Sequence, residues 1–157
     1  MKNLTNKKYE RYQRINRQFA ELLNKSNNFS SRMASLISLL HHKMDNFFWT
    51  GVYWLNDHKL QVGAYQGPLA CMELEKNKGV CWAAINENKT IMVPDVSQYH
   101  DHISCDSRSK SEIALPVRDK NQTILGVLDI DSNVLNNFDD TDAIELEKLL
   151  RLCFDMD

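Results

Sequence analysis

The chain has 157 residues, 43% hydrophobic and 25% charged, a size and composition that fit one globular domain burying about two-thirds of its unfolded surface. Its net charge of -2 supplies no broad basic field for a phosphate backbone, which argues against nucleic acid as a partner. The polar start MKNLTNKKYERYQRINRQF and the lack of any apolar run of about 18 residues argue against a secretory leader and a membrane span, so a cytoplasmic protein is expected.

Tyr9, Tyr12, Ile15, Phe19, Leu22 and Leu23 recur at helical spacing and predict an amphipathic helix with a basic outer face. A second helix is predicted from about Ser30 to Met44, with Ser30 or Ser31 as cap and Met33, Ile37, Leu40 and Met44 on one stripe. FFWTGVYWL is aromatic and β-branched, and the turn residues Asn56 and Asp57 separate it from the alternating KLQVGAYQG, which reads as a hairpin. After a loop around Cys71, GVCWAAINEN suits a short helix starting near Gly79, and a strand at 90–93 stops at Pro94. Residues 94–109 then read as a long polar loop, the kind of segment that presents side chains without being tied to the core. SEIALPV and TILGVLDI are two further strands joined by RDKNQ, and FDDTDAIELEKLLRLCF opens acidic before turning to helical spacing. The expected fold is therefore α+β, a single domain over 1–157 with a helical part at 1–44, a mostly antiparallel sheet and its loops at 46–132, and a closing helix at 139–154.

In a reducing compartment four cysteines are buried thiols, metal ligands or redox groups rather than a disulfide framework. Cys71, Cys81 and Cys105 lie 10 and 24 residues apart, which matches no zinc-finger or zinc-ribbon spacing. HDHISC offers His100, His102 and Cys105 as an alternative ligand set, against the simpler reading of both histidines as polar loop residues. Cys153 sits among Leu149, Leu150, Leu152 and Phe154 and reads as a core hydrophobe. The other three differ. Cys81 follows Gly79 and Val80 near a helix start, where the helix dipole favours thiolate, Cys71 follows the QGPLA turn, and Cys105 is flanked by Ser104, Asp106 and Ser107. They look poised rather than packed. Asp129 and Asp131 share one face of the apolar strand LGVLDIDS, where two like charges cost stability unless a cation binds them.

The segments FWTGVYWL, QGPLAC, KGVC, HISCDSRSKSEIALPV and GVLDIDS, in this order and spacing over about residues 46–132, resemble the free methionine-(R)-sulfoxide reductases, which are GAF domains. The resemblance implies that Cys105 attacks the sulfoxide sulfur, with Cys71 as resolving partner and Cys81 able to share the relay. It also implies Glu112, Asp129 and Asp131 as pocket carboxylates, Glu112 or an aspartate as proton donor, and Trp49 and Tyr53 as aromatic walls. Carboxylates in a closed pocket select an ammonium group, which a residue inside a polypeptide lacks, and aromatic rings suit an S-methyl group. A thiolate, sulfenic acid and disulfide cycle needs no metal, flavin or nucleotide, only an external dithiol such as thioredoxin. A homodimer is expected from the family and from the two amphipathic helices, whose stripes need a cover. Glu75, Asn77 and Trp82 depart from a family pattern of glycines and a proline, so the loop carrying Cys81 is expected to take a different shape. The rival is a GAF-type sensor that binds a small ligand without catalysis; the lack of an output domain and the three family cysteines weigh for the enzyme.

Overall fold

The structure, a computed structural model, describes residues 2–154, with side chains from residue 7 onward. Two helices, α1 (Lys2–Leu23) and α2 (Phe29–Lys43), precede the strands β1 (Phe47–Asn56), β2 (Lys59–Gln66) and the short β3 (Glu73–Leu74). Helix α3 (Gly79–Glu87) and strand β4 (Ile91–Val93) lead through a long loop to β5 (Ser111–Arg118), β6 (Ile124–Ser132) and α4 (Asp140–Phe154). The six strands form one sheet in the order β3-β2-β1-β6-β5-β4, every neighbouring pair antiparallel. Among the described residues no helix is long and apolar enough to cross a membrane.

Three local features differ from the sequence expectation. The cap of α2 is Asn28, whose side chain accepts from the Ser31 amide at 2.9 Å, while Ser30 and Ser31 lie inside the first turn. The hairpin turn is Asp57-His58, both at positive φ (47° and 61°), and Asn56 stays in the ladder opposite Lys59. Two consecutive left-handed residues give the turn a twist that matches the strands, so the chain reverses one residue later than the Asn-Asp pair suggests. The loop after β4 is not wholly irregular either: a 3-10 turn at Val96–Gln98, capped by Asp95, buries Val96.

The sheet has two unlike faces because strand side chains alternate. Leu128 and Ile130 of β6, with Ile113 and Leu115 of β5, are fully buried under α1, α2 and α4, where Tyr12, Ile15, Phe19, Leu36, Leu40 and Leu149 pack on them. Each such side chain contributes roughly 1.5–3 kcal/mol by leaving water. Cys153 belongs to this core, and burial pushes its thiol up to about 12. Polar anchors fix α1: Tyr12 donates to Asp142 at 2.7 Å, and the Lys8 ammonium meets the same carboxylate at 2.5 Å. Tyr12, Ile15 and Phe19 of the α1 stripe are thus covered by the chain itself, while Tyr9 and Leu22 at its ends stay exposed.

On β1 a register irregularity between Phe47 and Trp49 resets the alternation. Phe47 joins the helical core, whereas Trp49 and Tyr53 turn to the opposite face with Asp129, Asp131 and Glu112. That face, partly roofed by α3, holds the pocket.

Candidate active site

A pocket of about 590 Å³, counting its open mouth, sits between the sheet, the start of α3 and the loops around residues 68–70 and 102–109. Trp49, Tyr53, Cys81, Cys105, Glu112, Asp129 and Asp131 all line it, so seven of the eight residues singled out from sequence converge. The eighth, Cys71, reaches it through a disulfide to Cys105, with Cα atoms 5.8 Å apart across a sequence separation of 34.

Aromatic stacking builds one wall. The indole of Trp49 lies near-parallel to Tyr53 and Tyr65, with ring centroids 5.8 and 5.4 Å away. This arrangement needs Gly51 between Trp49 and Tyr53, because a Cβ there would run into the Trp49 ring and Tyr65. The indole N–H donates to the Pro68 carbonyl at 3.1 Å and ties the loop before Cys71 to the wall. Gly67 starts that loop at φ +122°, and a side chain on it would strike the Phe48 carbonyl at 2.8 Å.

The floor is acidic. Asp129 on β6 pairs with Ala114 of β5, and its neighbour on the same face, Asp131, stands opposite Glu112. Glu112 and Asp129 are 5% and 7% exposed, and burial raises both carboxyls well above the ordinary range, reinforced at Glu112 by the charge of Asp131 and at Asp129 by those of Glu112 and Asp131. Asp131 is raised to about 6, mainly by burial, although it accepts a short hydrogen bond from the Ser109 hydroxyl. One oxygen of Asp129 has no hydrogen-bond partner, which is costly for a buried polar atom. His102 faces this cluster, Nε2 lying 3.2 Å from Glu112 Oε2, and burial lowers its basicity. Burial therefore favours the neutral pair, with the proton on the Glu112 carboxyl.

The thiols divide sharply. Cys105 is exposed at the rim and Cys71 half-buried. Cys81, in the first turn of α3, is free and 4% exposed, and its thiol is pushed well above its ordinary value by burial and then by Asp129, Glu112 and Asp131. The expectation of a thiolate favoured by the helix dipole fails there, since an end-of-helix partial charge is small beside desolvation and three acids. Cys81 is packed rather than poised.

The HDHISC ligand set does not assemble. His100 points outward and pairs with Asp101 at 2.9 Å, while Cys105 is committed to Cys71. Among the described residues, the donors that do gather are Cys81, Glu112 and Asp129, whose ligand atoms lie within 4.8 Å of one another.

A family model described as GAF domain matches residues 27–153. The chain is 41% identical over 146 residues to "GAF domain-containing protein A" of Dictyostelium discoideum, covering 92% of this chain and 91% of that one. With the free methionine-R-sulfoxide reductase of Escherichia coli (strain K12) it shares 39% identity over 143 residues, 91% of this chain and 86% of the relative. A solved free methionine-R-sulfoxide reductase of Neisseria meningitidis, in complex with its substrate, superposes with a TM-score of 0.87 at 32% identity, covering 93% of this chain and 87% of that chain. The chain belongs to the free methionine-R-sulfoxide reductase family, within the GAF domains.

Against that family's usual pattern, the three departures resolve locally. Trp82 lies within α3, where no left-handed angle is needed, and its buried ring donates to the Leu74 carbonyl at 3.5 Å instead of lining the pocket. Asn77 takes the left-handed backbone itself at φ 61°, and its side chain accepts from Asn86 at 3.2 Å. Glu75 forms an exposed ion pair with Lys78 at 2.6 Å. The sequence offered His102 only as a candidate metal ligand or polar loop residue and did not single out Ser109, yet both line the pocket. Both lie on an irregular loop, where no periodicity reports which way a side chain points; the only available signal was their closeness to Cys105.

Proposed function

We propose that this chain reduces free L-methionine (R)-sulfoxide to L-methionine by a thiol-disulfide cycle. The observation that carries the reading is the Cys71–Cys105 disulfide at the rim of a pocket floored by Glu112, Asp129 and Asp131. In the reduced enzyme, the Cys105 thiolate attacks the sulfoxide sulfur while the protonated Glu112 carboxyl, paired with His102, delivers a proton to the oxygen. Oxygen passes to Cys105 as methionine leaves, giving a sulfenic acid. The Cys71 thiol then condenses with it, releasing water and forming the disulfide. A protein dithiol of the thioredoxin type attacks that disulfide and restores both thiols by exchange.

Asp129 and Asp131 receive the substrate ammonium, and the unpaired Asp129 oxygen supplies an acceptor for it. The S-methyl end lies against the Trp49 and Tyr53 rings. Cys81 serves the pocket in its protonated form and stands outside the first disulfide, because its thiol is both buried and acid-flanked. We infer a homodimer on family grounds and a cytoplasmic setting from the need for a reducing partner.

A thiol-coupled assay comparing the two sulfoxide epimers tests the proposal. Turnover of the free R epimer with one dithiol oxidised per methionine formed is expected, and none of the S epimer. Ligand binding with no turnover of either epimer would instead make the chain a sensor.

A further inference from the structure

The carboxylates and the buried thiol on the pocket floor form a donor set that the reductase cycle does not use together. Cys81 Sγ, a Glu112 oxygen and an Asp129 oxygen lie within 4.8 Å of one another, all three residues are buried, and they come from three separate elements, α3, β5 and β6. One oxygen of Asp129, itself 7% exposed, has no hydrogen-bond partner. An unpartnered buried carboxylate oxygen beside a thiol and a second carboxylate is where a bound cation is expected to sit.

We propose that Cys81, Glu112 and Asp129 bind a thiophilic divalent cation of the zinc class, and that this ion and the amino-acid substrate exclude one another. The chemistry matches. Zinc takes sulfur at about 2.3 Å and carboxylate oxygen at about 2.0–2.2 Å in a tetrahedron, which puts ligand atoms about 3.3–3.8 Å apart. The three ligand atoms, at most 4.8 Å apart, have about 1–1.5 Å to close to reach that spacing. His102 Nε2, 3.2 Å from Glu112 Oε2, offers a nitrogen donor beside the triad, and the pocket mouth leaves room for water as a further ligand. Magnesium and calcium prefer all-oxygen shells, so the sulfur selects against them. Exclusion follows from shared acceptors: the substrate ammonium and the metal both need Asp129. Binding of the ion does not depend on the reductase reading; the exclusion does, through the ammonium.

The redox state isolates the site. With Cys71 and Cys105 joined, the remaining thiols are Cys81 and Cys153, and Cys153 is buried in the opposite core. Cobalt(II) chloride titrated into the oxidised protein should give one equivalent of tightly bound ion with a near-ultraviolet thiolate-to-cobalt absorption. Cys81→Ala should remove the band and weaken binding by more than the about 10–100-fold typical of losing an outer partner, and Asp129→Asn should weaken it while keeping the fold by circular dichroism. Cys153→Ala should keep the band. Free methionine sulfoxide, which the oxidised protein cannot turn over, should release the cobalt. Absence of the band from the oxidised protein, or its persistence in Cys81→Ala, overturns the site; simultaneous retention of cobalt and sulfoxide in equilibrium dialysis overturns the exclusion. Failure of catalysis with an intact cobalt signal would sink the reductase reading and leave the metal site standing.

Discussion

One β-strand carries two different proteins on its two faces. On the helical side, Leu128 and Ile130 are fully buried in a core of leucines, isoleucines and aromatics. On the other side, one residue along, Asp129 and Asp131 are set into a pocket with Glu112, His102 and Cys81. The first face contributes stability through area removed from water. The second costs stability, because it buries carboxyls that repel one another and leaves an acceptor unpaired. Active sites are commonly built this way, with a preformed charge distribution supported by a rigid core on the reverse of the same element. The alternation of β6 makes the separation possible: no side chain of the strand has to serve both faces.

Chemistry should break first at the rim of the pocket. Cys105→Ser is expected to lower turnover of the free R epimer by more than about 1,000-fold in the thiol-coupled assay, the scale of losing an essential nucleophile. Cys71→Ser should still release up to one methionine per chain in a rapid-mix experiment, then stall with the protein dithiol. Most activity surviving in Cys105→Ser would remove that residue from the attacking role.

Selectivity comes next. N-acetylation of the sulfoxide turns the ammonium into a neutral amide and leaves the floor carboxylates without a partner, at a cost of roughly 2–5 kcal/mol. The expected rate penalty is about 30-fold to several-thousand-fold in kcat/KM. The double variant Asp129→Asn with Asp131→Asn should narrow that ratio mainly by losing activity on the free substrate. Equal wild-type rates on the two compounds would return both aspartates to a structural role.

The opposite face answers to stability alone. Leu128→Ala empties a fully buried site in the helical core and is expected to destabilise by about 2–5 kcal/mol in urea unfolding, while the KM of the folded enzyme stays unchanged. A KM that rises with the loss of stability would show that the two faces are coupled through the strand.

Much of this division was legible in the sequence. The run LGVLDIDS announces it, since alternation fixes Asp129 and Asp131 on one face and Leu128 and Ile130 on the other. Three cysteines and five ordered segments carried the site further than any local pattern. What stayed hidden depended on three-dimensional closure. The bulge after Phe47 turns Trp49 away from the helices, and nothing in FFWTG marks it. Cys81 looked accessible because Gly79 and Val80 precede it at a helix start, yet α3 packs that turn onto three acids that lie 31 to 50 residues further along the chain. His102 and Ser109 sit on an irregular loop, where orientation follows from tertiary contacts alone.

The smallest effect concerns pH and has a sign opposite to ordinary acid denaturation. Asp131 moves from an ordinary 3.8 to about 6 in the folded chain, mainly through burial. A raised carboxyl means that the native state holds its proton more tightly than the unfolded chain, so this contribution to stability is complete below about pH 4 and is lost as pH rises through about 6. The loss amounts to roughly 1–3 kcal/mol, given the accessible edge of Asp131 and its Ser109 partner. Glu112 and Asp129 are raised further, by burial first, and carry the decline above that window; His102 opposes it weakly because its own basicity is lowered. Urea unfolding of the oxidised protein from pH 4 to 8 should therefore show falling stability, and Asp131→Asn should flatten the lower part of the curve and exceed wild type at pH 8. Saturating methionine sulfoxide should flatten it too, since the bound ammonium compensates the carboxylates once they ionise. A variant curve parallel to wild type, or an Asp131→Asn protein weaker at pH 8, would mean that Asp131 is already satisfied in the empty pocket and that its charge is not held in reserve for the substrate.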